Sequence, residues 1–152
     1  MRKRFDKDLY DKYDKLAKNR VVDIIDKRKY EVVENPKKRG VDLLIYERKT
    51  GNHVLNIETE VKRVWKTKDF KYDTVQFPER KSKFAKLNVP TLFVMFSENT
   101  KNYLVVKDKD LVNSPLKEVP NKYMFKGEYF YQVPLKKVKF DNIKKVIKGL
   151  IK

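Results

Sequence analysis

The chain predicts an α/β fold: a central mixed sheet flanked by helices. Residues 6–27 carry apolar side chains at helical spacing. Residues 30–62 alternate in short strand-like runs broken by turn residues, and "TLFVMFS" (91–97) is a continuous apolar stretch.

In "DKDLYDKYDKLAKNRVVDIIDK" (6–27), Leu9, Tyr10, Tyr13, Leu16, Ala17, Val21, Ile24 and Ile25 recur at steps of three and four, with Asp6 placed as the cap. Arg20 falls on that apolar side, so its head either snorkels past the stripe or meets a carboxylate or phosphate. "KYEVVENP" and "GVDLLIYE" read as strands joined by the basic turn "PKKRG". "KTGN" is the next turn and "HVLNIETEVKRVW" a third strand, completing an antiparallel meander. Period-two alternation puts Leu55, Ile57, Thr59 and Val61 on one face of that strand, and Asn56, Glu58, Glu60 and Lys62 on the other.

"KTKDFKYDT" reads as a loop, and Pro78 opens a short basic helix in "PERKSKFAKL". "TLFVMFS" suits a central strand buried on both faces, with "YLVVKD" beside it after the "ENTKN" turn. "KYMFKGEYFYQV" has hairpin grammar around Lys126-Gly127. "FDNIKKVIKGLIK" sets Ile143, Val146, Ile147, Leu150 and Ile151 on one helical stripe capped by Asp141. With no internal repeat and no Gly/Ser linker, one domain over 1–152 is expected. Its core spans about 6–106, and a C-terminal hairpin and helix span about 120–152.

Composition narrows the function. There is no cysteine, which removes disulfides, Cys-ligated zinc and thiol catalysis, and His53 is the only histidine. Lys plus Arg number 38 against 21 Asp plus Glu, a net charge of +17 that attracts polyanions; nucleic acid, DNA first, is the expected partner. No apolar run is long enough to span a bilayer, and "MRKRFDKDLY" has no apolar segment behind its basic residues. A cytoplasmic protein without a membrane partner is expected. The C-terminal helix either closes the core or makes a homodimer.

Against that charge, "GVDLLIYERKTGNHVLNIETEVK" (40–62) plants acids beside apolar strands. If the two strands pair through "KTGN", Asp42 approaches Glu60 and Lys62 at one end of the sheet. Two carboxylates there make a hard-oxygen site for Mg²⁺ or Mn²⁺, which would polarise a water against a phosphate. The lysine would stabilise the developing negative charge. Glu58 shares the face of Glu60 and is either a third acid near the metal or a partner for a basic side chain. The competing reading is ordinary turn and solvated-strand chemistry.

"GVDLLI", a turn and "IETEVK", inside a helix–three strands–helix–strand order over residues 6–97, resemble the PD-(D/E)XK nuclease superfamily. That superfamily includes restriction endonucleases and archaeal-type Holliday junction resolvases. The resemblance implies a restriction-endonuclease-like core, with Asp42 and Glu60 as metal ligands and Lys62 as the catalytic lysine. Val41 stands where the motif often has proline. The resemblance also implies an acid from the first helix, with Asp6 and Asp14 as candidates, and a glutamine near the second helix, for which Gln76 is the candidate. The function implied is Mg²⁺-dependent hydrolysis of phosphodiester bonds in DNA by an endonuclease, structure-specific action being left open. The alternative is a non-catalytic basic nucleic-acid-binding protein.

Basic runs flank this stretch, and Lys37, Lys38, Arg39, Arg63, Lys66, Lys68, Arg80, Lys81 and Lys83 are candidates to grip phosphates. Trp65, interleaved with lysines, either stacks on a base or packs in the core.

Overall fold

The computed structural model describes residues 7–120 and 127–151. The apolar run Thr91–Ser97 is β5, buried at all seven positions. It sits inside a six-stranded sheet that also contains β1 (Tyr30–Glu34), β2 (Leu43–Glu47), β3 (His53–Lys62), β6 (Tyr103–Lys107) and β9 (Lys139–Phe140), in the order β1-β2-β3-β5-β6-β9. β3 and β5 run parallel, and the other neighbours are antiparallel. The fold is therefore α/β with a central mixed sheet flanked by helices.

Two cores cover the two faces of this sheet. On one face, helix α1 (Lys7–Ile24) buries Ala17 and Val21, and helix α3 (Ile143–Leu150) buries Ile143 and Ile147, while the short helix α2 (Asp108–Val112) turns Leu111 into the core of the other face. α1 and α3 pack against Leu43, Ile45, Leu55, Ile57, Leu92, Val94 and Phe96. On the other, Phe93, Met95, Leu104 and Val106 meet Val75, Phe77, Tyr131 and Val133 of a second sheet. Period-two alternation along β5 divides its side chains between the two cores.

That second sheet was not expected. It has three strands, β4 (Thr74–Pro78), β7 (Leu116–Val119) and β8 (Glu128–Pro134), in the order β4-β8-β7. The loop expected up to residue 74 runs directly into β4. Pro78 ends this strand, and the following turn is a 3₁₀ helix, Glu79–Lys86. Among the described residues β4 pairs only with β8, Val75 opposite Val133, so no local pattern announces it. β8 pairs with β7, Val119 opposite Glu128, whereas the expected hairpin around Lys126-Gly127 takes its first strand from residues 122–125. Residues 122–125 and Lys126 lie outside the described residues.

Two smaller expectations also change. Asp141 does not cap α3; its carboxylate accepts from the Tyr103 backbone N–H at 3.1 Å and its φ is 50°. Among the described residues Arg20 makes its hydrogen bond to a backbone carbonyl: its Nε donates to Thr100 at 3.0 Å. Among the described residues no helix is long and apolar enough to cross a membrane.

Candidate active site

The site is assembled where β2 begins and β3 runs past it. β2 and β3 pair Tyr46 with His53 near the turn, but Ile45 with Leu55, so Val54 is an extra residue on β3. Counting straight on from Tyr46 and His53 would set Asp42 opposite Ile57. The bulge instead pairs Leu43 with Ile57 and brings Asp42 to Glu58, whose Oε1 accepts from the Asp42 backbone N–H at 3.0 Å. The Asp42 carboxylate turns to Thr59, accepting its backbone N–H at 2.8 Å and its hydroxyl at 3.0 Å. The turn before β2 is tight: a β-carbon on Gly40 would strike the Asn35 amide, which itself donates to the Val41 carbonyl at 2.9 Å.

The lysine closest to the acids comes from another element. Lys81, on the 3₁₀ helix, places Nζ 3.1 Å from Glu58 Oε2 and 3.8 Å from Glu60 Oε2. Lys62, expected to fill this role, extends over the Tyr72 ring at 4.5 Å from its centroid. It still acts on Glu60 electrostatically, after Lys81 in strength. Lys81, a candidate to grip phosphate, is buried against these two carboxylates.

Burial sets the charge states. Desolvation pushes the Glu58 carboxyl up to about 7, against the pull of Lys81 and with the help of the Asp42 charge. Glu60 is also raised by desolvation, with Lys81 and Lys62 opposing. About a third of its side chain (34%) is exposed, yet its Oε2 is shielded and accepts no hydrogen bond. Burial works against the Lys81 ammonium, but Glu60 and Glu58 more than compensate and hold its pKa above the usual lysine range.

These groups line a cleft of about 1130 Å³. Six basic side chains reach it, Lys38, Arg39, Arg63, Arg80, Lys81 and Lys83, with the acids Asp14, Asp42, Glu58 and Glu60. Asp14 pairs with Lys18 at 3.0 Å. Asp6 lies outside the described residues. Lys37, Lys66 and Lys68 are exposed outside the cleft lining, and Lys66 reaches Glu98 at 3.4 Å.

Two candidates are moved away from the cleft by the fold. Gln76 sits on β4 in the second sheet, donating to Gln132 at 3.2 Å, because the segment expected to lead into a helix is a strand. Trp65 is only 2% exposed and packs edge-on against Phe70 and Phe140, so its faces are closed to a base.

In kind, the oxygen set fits a hard divalent cation: Asp42, Glu58 and Glu60 offer carboxylates, and Glu60 Oε2 has an unused acceptor. Among the described residues no three His, Asp or Glu groups are spaced to hold an ion by themselves. Mg²⁺ is commonly held by one or two carboxylates, with waters and substrate phosphates completing its shell, so Asp42 and Glu58 would suffice.

No protein-family model matches the chain, and no curated protein sequence matches it. Among solved structures the chain is similar to Hjc of Archaeoglobus fulgidus, a Holliday junction resolvase from an archaeal hyperthermophile, with a TM-score of 0.47 and 6% identity over 79% of this chain and 84% of that one.

Proposed function

We propose that the protein is a metal-dependent nuclease that hydrolyses phosphodiester bonds in DNA. The observation that carries this reading is the meeting of Asp42 and Glu58 across β2 and β3, at the floor of a cleft whose rim is basic. Lys81 offsets one charge, but Asp42, Glu58 and Glu60 together bring three carboxyl groups to the cleft, which a divalent cation would offset further beside a polyanion.

Asp42 and Glu58 would hold Mg²⁺ or Mn²⁺, with Glu60 beside them. Such an ion supplies Lewis acidity toward the scissile phosphate and lowers the pKa of a water. The chain's own residues supply the rest. Thr59 fixes the Asp42 carboxylate through two hydrogen bonds, so the ligand is already oriented. Lys81 is the cation placed to meet negative charge that builds on the phosphate, with Lys62 a second lysine at longer range. Glu60, whose side chain is about a third exposed (34%), would take a proton from the attacking water. Arg39, Arg80 and Lys83 would hold flanking phosphates.

The test is cleavage of single-stranded, duplex and branched DNA, with RNA alongside, in Mg²⁺, Mn²⁺ or EDTA. Divalent-dependent cleavage by the wild type, lost in Asp42→Asn, is expected. Binding without cleavage on every substrate would leave the second reading, a non-catalytic nucleic-acid-binding module. One observation favours it: Lys81 already neutralises Glu58, giving the acids a structural partner.

A further inference from the structure

The walls of the cleft differ in chemistry. The 3₁₀ helix contributes Arg80, Lys81 and Lys83, whereas α1 contributes Leu9, Tyr10 and Tyr13. These two elements belong to opposite faces of the central sheet, Ala17 of α1 to one core and Phe84 of the 3₁₀ helix to the other. The 3₁₀ helix thus lines the cleft with basic residues and Phe84, and α1 lines it with Tyr10, Tyr13 and Asp14, while Asp42, Glu58 and Glu60 belong to the same lining.

Tyr10, 54% exposed, lines the cleft together with the acids. Its hydroxyl is pushed up by desolvation, then by Asp14 and Asp42, which marks how near the ring lies to the site. Tyr13 is already faced by cations, with Arg63 5.5 Å and Lys12 5.7 Å from its ring centroid. A paired duplex hides its base faces inside the stack. Unpaired bases expose theirs, and stacking on an aromatic side chain while basic residues track the backbone is how single strands are held.

We infer that the cleft takes an unpaired strand, a base against Tyr10 of α1 and its phosphates against Arg80 and Lys83. This deepens the nuclease reading by naming the substrate class, single-stranded segments of nucleic acid, and rests on that reading for the place of the reaction.

Binding in EDTA separates the two. The probes are a single strand of about 12 thymidines, within the footprint range of single-strand sites, and a blunt duplex of the same length. Wild type is expected to prefer the single strand. Tyr10→Ala should weaken single-strand binding by about tenfold, with the duplex little changed, and Tyr10→Phe should restore it, since the ring does the stacking. Tyr10→Trp should bind as wild type and lose indole fluorescence when the thymidines bind, over the constant signal of buried Trp65. Far-ultraviolet circular dichroism of each variant checks folding. Equal losses on single strand and duplex, no loss in Tyr10→Ala, or failure of Tyr10→Phe to restore binding would overturn the inference. If wild type binds single strands as expected but never cleaves, the nuclease reading fails and the strand assignment stands. If it cleaves and Tyr10 is indifferent, the reverse holds.

Discussion

The Lys81 ammonium lies 3.1 Å from the Glu58 carboxylate, and both side chains are almost out of solvent, 12% and 11% exposed. Removing one partner of such a pair leaves an uncompensated buried charge, at a cost of about 3–5 kcal/mol. Lys81→Met should therefore lower the urea midpoint strongly and also suppress cleavage. Lys62→Met, which gives up a cation–π contact with Tyr72 worth about 0.5–1 kcal/mol, should do less of both. Urea melts and single-turnover cleavage of both variants check this. Full activity in Lys81→Met with none in Lys62→Met would return the catalytic lysine to β3.

Asp42→Asn separates ligand chemistry from folding. The asparagine carbonyl can still accept from Thr59, so the stability loss should stay below about 1 kcal/mol. It loses the charge needed to hold a divalent ion. Cleavage should fall by about two orders of magnitude or more, the scale on which removing a transition-state interaction acts. Affinity for DNA in EDTA should be unchanged or higher, since one negative charge has left the cleft. Calorimetric titration with Mg²⁺ gives an independent readout.

The Glu58 carboxyl is displaced upward, from an ordinary 4.5 to about 7. A raised carboxyl binds its proton more tightly in the folded chain than in the unfolded one. Its contribution to stability is full below about pH 4.5 and is lost as pH rises through about 7. The loss across that window is on the order of 1–3 kcal/mol. Glu58→Gln should flatten this dependence, as urea melts at about pH 5 and about pH 8 would register. A wild type whose stability climbs over the same window would contradict the assignment.

Arg80 and Lys83 are exposed at the cleft and suited to phosphate contact, unlike Lys81. The double reversal Arg80→Glu with Lys83→Glu should weaken DNA binding and lower the slope of log affinity against log salt by about 2. Fluorescence anisotropy at several salt concentrations measures the slope. An unchanged slope would remove the 3₁₀ helix from the interface.

Much of the architecture is legible in the chain. Hydrophobic periodicity located α1, β1 to β3, β5, β6 and α3, because burial on one stripe or face leaves a local pattern. The segment Thr74–Pro78 is not legible as a strand, because its short alternation acquires meaning only beside β8, more than fifty residues away. Trp65 shows the same limit: a lone aromatic among lysines reads equally as a stacking platform or a core residue, and only the packing of Phe70 and Phe140 decides.

For the site, the sequence by itself determined the basic field, the acids on two adjacent strands and the side of β3 on which Glu58, Glu60 and Lys62 lie. Tertiary structure decided which of them meet. The extra residue Val54 shifts the register by one and brings Asp42 to Glu58, and the Arg63–Pro90 crossover carries Lys81 between Glu58 and Glu60. The sequence marks neither event, since a bulge reflects strand twist and pairing and a crossover is placed by the packing of the second core.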